Sequence, residues 1–286
     1  MLESLINPKS ASRKPWGMFF VGLFYASLSI LLSHWFFKND PVLSQYSGIF
    51  MIMFCVIFTM LYVYYSIKNE EQKCSEIESE VTLLKEHSKV ILSFLCLFMG
   101  FIVAFSFWYM VLPDGTDSFK AQIETFCQIN RPHNFDQCVS EYDMSGSKGI
   151  TGDSISGSRF MSIFSNNIYV LIFTIIFSLI FGAGAIFILV WNASVISAAI
   201  GIFAKSDLAD LPLGIMRYMI HGLPEISAYF VGALAGGILS FAIIRHDTQN
   251  RRFWKIIQDS LNLVIIAIVI LLISAFIEVF ITPRIF

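Results

Sequence analysis

Long apolar runs separated by short polar segments dominate the chain. One run covers residues 16–37, a second covers roughly 44–67, and a third covers 90–112. Each run approaches or exceeds the length of about 20 residues that a transmembrane helix needs. We therefore predict an N-terminal transmembrane hairpin within residues 1–67, followed by a third span at 90–112.

The polar segment 68–89 has the periodicity of a helix. Its apolar residues Cys74, Ile77, Val81 and Leu84 follow 3-4-3 spacing, which predicts an amphipathic cytoplasmic helix. Such a helix would lie on the bundle or on the membrane surface. A short coiled-coil contact with a partner is the other interpretation, although the pattern covers barely two heptads.

Residues 113–165 form the one long hydrophilic region, which we interpret as an extracytoplasmic loop. Its second half is rich in Gly and Ser, as loops are. Cys127 and Cys138 lie in its first half, and they predict a disulfide if that side is oxidising. Two unpaired thiols are the alternative. The other three cysteines are predicted to be packing residues: Cys55, Cys74 and Cys96.

The region 166–286 is predicted to contain four membrane segments. Residues 166–204 carry no charge and are too many for one untilted helix. They form either two short spans that turn at Gly182-Ala183-Gly184, or one long span followed by a re-entrant piece. Further spans are predicted at 223–244 and 255–281.

Basic residues orient the chain. Lys9, Arg13 and Lys14 precede the first span, and Arg251 and Arg252 follow the sixth, so both segments are predicted to be cytoplasmic. An odd number of crossings must then separate residue 165 from residue 245, and three crossings account for the apolar sequence. The prediction is an all-α polytopic bundle of about seven segments, with a cytoplasmic N-terminus and an outside C-terminus.

A few polar side chains interrupt the apolar sequence of the second half. In the predicted topology most of them lie at a similar depth near the outer boundary, with Asn192 deeper: Asn166, Asn167, Asn192, His221, Glu225 and Glu278. Ionisable groups are costly in lipid, which favours a shared layer over isolated burial. The layer is either a hydrogen-bonded brace between helices or a pocket for an ion, a lipid headgroup or a partner helix.

Glycines mark close helix packing. The candidate packing positions are Gly182, Gly184, Gly232, Gly236 and Gly237. Gly232 and Gly236 have the small-xxx-small spacing that lets helices approach closely. This packing occurs either within one chain or between two copies in a homo-oligomer.

Composition agrees with a membrane protein. The chain of 286 residues is 56% hydrophobic and 14% charged, whereas soluble domains are roughly 25% charged. A formal net charge of -2 argues against a nucleic-acid partner.

These motifs together resemble the stage II sporulation protein M family. The resemblance covers residues 166–283 and rests on the Asn166-Asn167 opening, Gly182 and Gly184, Asn192, HGLPE at 221–225, Gly236-Gly237 and IEVFITP at 277–283. The opening NPKSASRKPWGMFF and the KEHSK before the third span resemble archaeal members of that family.

The resemblance implies a scaffold in the cell membrane that recruits or organises envelope-remodelling partners. It implies membrane-protein partners, no cofactor, no metal and no catalytic residue. An ion or small-solute transporter or channel is the alternative, because intramembrane carboxylates can line a cation path. An intramembrane metalloprotease using His221, Glu225 and Glu278 is a weaker hypothesis, because the usual zinc pattern has two histidines and Pro224 is expected to interrupt the helix.

Overall fold

The computed structural model describes residues 15–40, 42–77, 80–130, 134–143, 156–204, 208–245 and 251–285, and all regular elements in these ranges are helical. The α-helices are α1 Gly17–Phe37, α2 Ser47–Glu76, α3 Glu80–Val111, α4 Gly115–Ser118, α5 Lys120–Asn130, α6 Phe135–Asp143, α7 Ser156–Phe181, α8 Ala185–Ala204, α9 Leu211–Arg245, α10 Arg251–Phe276 and α11 Thr282–Ile285. Short 3-10 helices precede α2 and α9, at Leu43–Tyr46 and Leu208–Asp210, and a π-helix, Ile277–Ile281, joins α10 to α11.

Seven helices in the described ranges are long and apolar enough to cross a membrane, which confirms the predicted all-α class and segment number. They are α1, α2, α3, α7, α8, α9 and α10 with its π-helical extension. Among them α9 is the most buried, so the other helices pack around it.

The segment 68–89 is not a separate helix, which corrects the prediction. Its first part continues α2 to Glu76, and its second part belongs to α3. Ile77 adopts an extended conformation after α2 and ends that helix. The four positions of the predicted stripe therefore do not share one helix. Leu83 is buried, whereas Leu84, which the pattern placed on the apolar face, is exposed.

The charge-free stretch 166–204 forms two helices, α7 and α8, that turn at the glycines 182–184. This is the first of the two predicted alternatives. Gly182 has φ +66°, a left-handed conformation that favours glycine. A methyl group at Gly184 would lie 2.6 Å from the Cβ of Phe181, so the chain reverses tightly against the end of α7. Both α7 and α8 are long enough to span.

Helix α9 begins at Leu211, twelve residues before the predicted span, and passes through Pro224 without a break. The expectation that Pro224 interrupts the helix was therefore wrong. Proline removes one backbone donor, but helices packed among neighbours tolerate that loss. Helix α7 likewise begins at Ser156, inside the region predicted to be a loop.

The rest of the predicted loop 113–165 is also partly helical. Its first half forms α4, α5 and α6, which we call the cap, and part of its Gly- and Ser-rich half lies outside the described residues. Gln122 of the cap donates its amide N–H to the carbonyl oxygen of Gly48 at 3.2 Å. Asp114 forms an ion pair with Lys38 at 3.2 Å. The cap is therefore fixed to one end of the bundle, which we call the cap end.

Close glycine contacts join α1 to α3. A methyl group at Gly22 would lie 2.1 Å from the carbonyl oxygen of Leu97, and one at Gly100 would lie 2.2 Å from that of Phe19. The two backbones thus approach more closely than any side chain would allow. This pair of glycines was not among the predicted packing positions.

Candidate functional site: two buried polar clusters

The first cluster surrounds Glu225, and we call Asn167, His221, Glu225, Tyr229 and Glu278 the Glu225 layer. The hydroxyl of Tyr229, one turn further along α9, donates to Glu225 Oε1 at 2.8 Å. Tyr229 is fully buried. The carboxyl of Glu278 lies near enough to act electrostatically on both Glu225 and Tyr229.

Asn167 reaches this layer from α7. Its side chain is only 5% exposed and lies beside the Glu225 carboxyl. The Asn167 amide is within reach of that carboxyl, although the contact falls outside strict hydrogen-bond geometry. Three helical elements thus contribute to the layer: α7, α9 and the π-helix.

His221 joins α9 to both α10 and α11. Its backbone carbonyl oxygen accepts a hydrogen bond from Ser274 Oγ at 2.8 Å. Its ring nitrogen Nδ1 lies 3.4 Å from Thr282 Oγ1. These contacts fit a brace between helices, the first of the two interpretations given for this residue.

Two residues of the predicted polar cluster, Asn166 and Asn192, make no described contact with Glu225. The side chain of Asn166 is exposed, because it points about 100° away from that of Asn167 on the same helix. Asn192 donates its amide N–H to the carbonyl oxygen of Ile188 in its own helix at 2.8 Å. The predicted polar cluster is corrected at Asn166, whose side chain is exposed, and Asn192, which was predicted to lie deeper, bonds its own helix.

The predicted glycine face of α9 is used for packing within the chain. A methyl group at Gly232 would lie 2.4 Å from Leu171, and one at Gly236 would lie 2.6 Å from the carbonyl oxygen of Ile175. Both contacts are with α7. Gly237 faces Ile67 of α2 and the turn at Gly182 instead.

A second cluster lies at the end of the bundle opposite the cap, and sequence reasoning missed it. Its members are Glu70, Glu71, Cys74, His87 and Asp259, here called the Glu70 cluster. His87 Nδ1 lies 2.8 Å from Glu70 Oε2, and these side chains are 2% and 1% exposed. Cys74 Sγ lies 3.6 Å from the other ring nitrogen, Nε2, of His87.

Lysines complete the Glu70 cluster. Lys73 Nζ bonds Glu70 Oε1 at 2.7 Å and Glu86 Oε2 at 3.2 Å. Lys255 Nζ donates to the carbonyl oxygen of Ile77 at 2.6 Å and thereby satisfies the backbone where α2 ends. Since Lys255 and Asp259 both belong to α10, the cluster joins α2, α3 and α10.

A signal for this cluster was present in the sequence. Glu70 and Cys74 are four residues apart and therefore share one helix face. Cys74 was predicted to be a packing residue, and it is fully buried. An amphipathic cytoplasmic helix was predicted for this segment from its apolar residues alone, and the burial of Glu70 and His87 was not anticipated.

The chemistry of the Glu70 cluster is that of a buried hydrogen-bonded network, in which Glu70 bonds His87 and forms an ion pair with Lys73. The contacts from Cys74 to His87 and from His87 to Glu70 have the arrangement of a nucleophile, a base and a group that orients the base. All three side chains are at most 2% exposed, so a substrate has no access to the thiol in this arrangement. Among the described residues, no three His, Cys, Asp or Glu side chains are placed to hold a metal ion.

Cys127 and Cys138 form a disulfide between α5 and α6 of the cap. Both residues are buried. Cys55, Cys74 and Cys96 are free thiols and are also buried. The cap is therefore crosslinked at the end of the bundle that lies opposite the Glu70 cluster.

Comparison with known proteins decides the family. The model of the family described as stage II sporulation protein M matches residues 48–283. The chain belongs to the stage II sporulation protein M family. The match begins well before Asn166, so the region shared with the family includes α2, α3 and the cap and is larger than the predicted core of 166–286.

The chain is also similar to an uncharacterized protein of Methanocaldococcus jannaschii. The two are 33% identical over 132 residues, which is 44% of this chain and 72% of the archaeal protein. No solved structure matches the chain. Family membership and the apolar helices show that this is a membrane protein.

Proposed function

We propose that this chain is a multi-pass scaffold of the cell membrane, which recruits or organises membrane partners that remodel the envelope and has no catalysis of its own. Membership of the stage II sporulation protein M family is the observation that carries the proposal. The buried polar groups support it, because in the described contacts they join helices to one another.

The cap supports the proposal as a docking surface. It is crosslinked by a disulfide and anchored to Gly48 and Lys38. Two α6 side chains one turn apart, Asp136 and Ser140, are exposed. A rigid and accessible element of this kind needs little ordering when a partner binds.

We further propose that the cap faces outward. Disulfides persist in oxidising compartments, which favours an external cap. The opposite end of the bundle carries several lysines: Lys68, Lys85, Lys89 and Lys255. Because cytoplasmic flanks are enriched in Lys and Arg, these lysines favour a cytoplasmic location for that end. The N-terminus would then be cytoplasmic and the C-terminus outside.

Cysteine labelling tests this orientation. Ser140→Cys places an exposed thiol on the cap, and Ser88→Cys places one at the other end, while the native free thiols are buried. An impermeant maleimide added to intact cells should label the Ser140→Cys variant and label the Ser88→Cys variant only after permeabilisation. The reverse pattern would invert the orientation.

Quantitative co-purification tests the scaffold. The full chain is isolated from native membranes in mild detergent, as wild type, as the double variant Asp136→Arg/Ser140→Arg, and as the control Ser88→Arg. We expect specific partners that the double variant loses and the control keeps. Identical partner sets in all three would contradict the proposed role of the cap.

A flux assay separates the scaffold from the alternative transporter. The Glu225 layer is the observation that favours transport, because it places carboxyl groups within an apolar bundle. Liposomes containing the purified chain should show no ion flux above empty liposomes. Flux that disappears in Glu225→Gln would support the transporter instead.

A further inference from the structure

Arg217 is a basic side chain that lies against an aromatic ring. Its guanidinium carbon is 5.3 Å from the centre of the Phe203 ring, in a cation–π contact between α9 and the end of α8. The two helices approach closely here, because a methyl group at Gly214 would lie only 3.1 Å from Phe203 Cδ1. The ring therefore restricts the positions that the guanidinium can take.

The ion pairs formed among the described residues do not include Arg217. Asp210 and Glu225, the described carboxylates nearest to it along the chain, are seven and eight residues away. These separations correspond to about 10 Å or more along a helix axis. A guanidinium has five N–H donors in a planar fork that fits the oxygens of a phosphate group. The Phe203 ring offers no oxygen acceptor to these donors.

The exposed face of the same part of α9 is apolar. Leu213, Met216 and Leu223 are 43%, 51% and 39% exposed. Their spacing of three and seven residues places them on one side of the helix. Leu213 lies one turn before Arg217, so the guanidinium is at the edge of this apolar face. A positive charge beside exposed apolar side chains suits an amphiphile with an anionic end and hydrocarbon chains.

The position of Arg217 along α9 favours a membrane lipid as the amphiphile. Arg217 and Arg245, at the far end of the helix, are about 42 Å apart at 1.5 Å per residue. A bilayer is about 40–45 Å thick when its headgroup layers are included. If one of these residues lies in the headgroup layer of one leaflet, the other therefore lies in that of the opposite leaflet. Lipid phosphates occupy these layers.

We propose that Arg217 binds the phosphate group of an anionic phospholipid in the leaflet on the cap side. The guanidinium donates to the phosphate oxygens and is held by Phe203, and the hydrocarbon chains lie along the apolar face of α9. This site goes beyond the proposed scaffold role, because its ligand is a lipid rather than a protein partner.

Native mass spectrometry of the purified full-length chain in detergent tests the proposal. The probes are dioleoyl phosphatidylglycerol and dioleoylglycerol, which has the same chains without the phosphate. We expect one phosphatidylglycerol to bind saturably and at least about tenfold more tightly than dioleoylglycerol, because only the phosphate provides charged acceptors for the guanidinium. Inorganic phosphate at an equal concentration should not displace the lipid.

Variants locate the site. Arg217→Met should weaken phosphatidylglycerol binding about tenfold and leave dioleoylglycerol binding unchanged. Arg284→Met is the matched control, because it removes an exposed arginine at the same end of the bundle, and it should keep the wild-type affinity. Phe203→Leu keeps the charge but removes the ring, and it should weaken phosphatidylglycerol binding about threefold.

Three results would overturn the proposal. Equal phosphatidylglycerol affinity in wild type and Arg217→Met would show that the lipid does not use the guanidinium, and a co-purifying protein lost from that variant would then assign Arg217 to a protein partner. Equal wild-type affinity for the two lipids would indicate an apolar contact alone. Displacement by inorganic phosphate would indicate a site for a free anion. If Arg217→Met does not fold, an unchanged affinity in Phe203→Leu overturns the proposal.

Discussion

The buried pair of His87 and Glu70 gives the sharpest stability prediction. Removing one partner of a buried hydrogen bond costs about 1–3 kcal/mol, and more when the group left behind is charged and uncompensated. In His87→Phe the Glu70 carboxylate would keep its 2.7 Å contact with Lys73. Because that contact remains, we expect a loss within this range, about 2–3 kcal/mol.

The assay is thermal unfolding of the full chain in mild detergent. At roughly 2–4 °C per kcal/mol, the His87→Phe midpoint should fall by about 5–10 °C. Glu70→Leu should also destabilise, since it leaves both His87 and Lys73 without their buried carboxylate. The double variant should lose less than the sum of the single losses, because it removes both members of the pair.

An exposed ion pair on the same helix provides the control. Lys89 forms an ion pair with Glu86, and its side chain is 46% exposed. Because solvent screens such pairs, Lys89→Met should cost at most about 1 kcal/mol. Additive losses for His87→Phe and Glu70→Leu, or a His87→Phe loss no larger than that of the control, would refute the assignment of a coupled buried pair.

Further predictions concern other parts of the bundle. Gly22→Ala should lower the unfolding midpoint, since overpacking costs about 1–3 kcal/mol. Gly17→Ala, whose new methyl group would have nothing within 4 Å, should not lower it, and equal effects would contradict the α1–α3 contact. Cys127→Ser should cost about 2–3 kcal/mol for a crosslink across 11 residues and speed proteolysis of the cap; unchanged proteolysis would count against it. Two backbone N–H groups lower the pKa of Asp40. The stability gain of wild type over Asp40→Asn should therefore be complete above the unfolded pKa of about 3.9 and decline as pH falls through the lower folded value; a gain that does not change between pH 5 and pH 2 would contradict this.

The membrane segments were predictable because hydrophobic length is a local property. Runs near 20 residues were sufficient to predict seven membrane segments, and the glycines at 182–184 offered a tight turn as one of two alternatives. Helix ends were less predictable. Helix α9 begins at Leu211, well before the predicted span. Its first turns are not uniformly apolar, and a hydropathy pattern therefore did not include them.

The polar clusters were harder to predict because their contacts are long-range. Glu225 and Asn167 were expected to lie together, since both were polar residues in apolar runs at similar depth. Glu70 and His87 are 17 residues apart in a charged segment, where nothing local distinguishes a buried pair from a solvated helix surface. Their burial depends on α10, which follows about 170 residues later.

The distances between the polar groups along helices α2 and α9 match the thickness of an ordinary membrane. Gly48, which holds the cap, and Glu70 lie about 33 Å apart along α2 at 1.5 Å per residue. Glu225 and Arg245 lie about 30 Å apart along α9 by the same measure. Both separations match a hydrocarbon core of about 30 Å. If the seven helices cross a bilayer as proposed, the Glu70 cluster and the Glu225 layer lie at opposite boundaries rather than at the midplane.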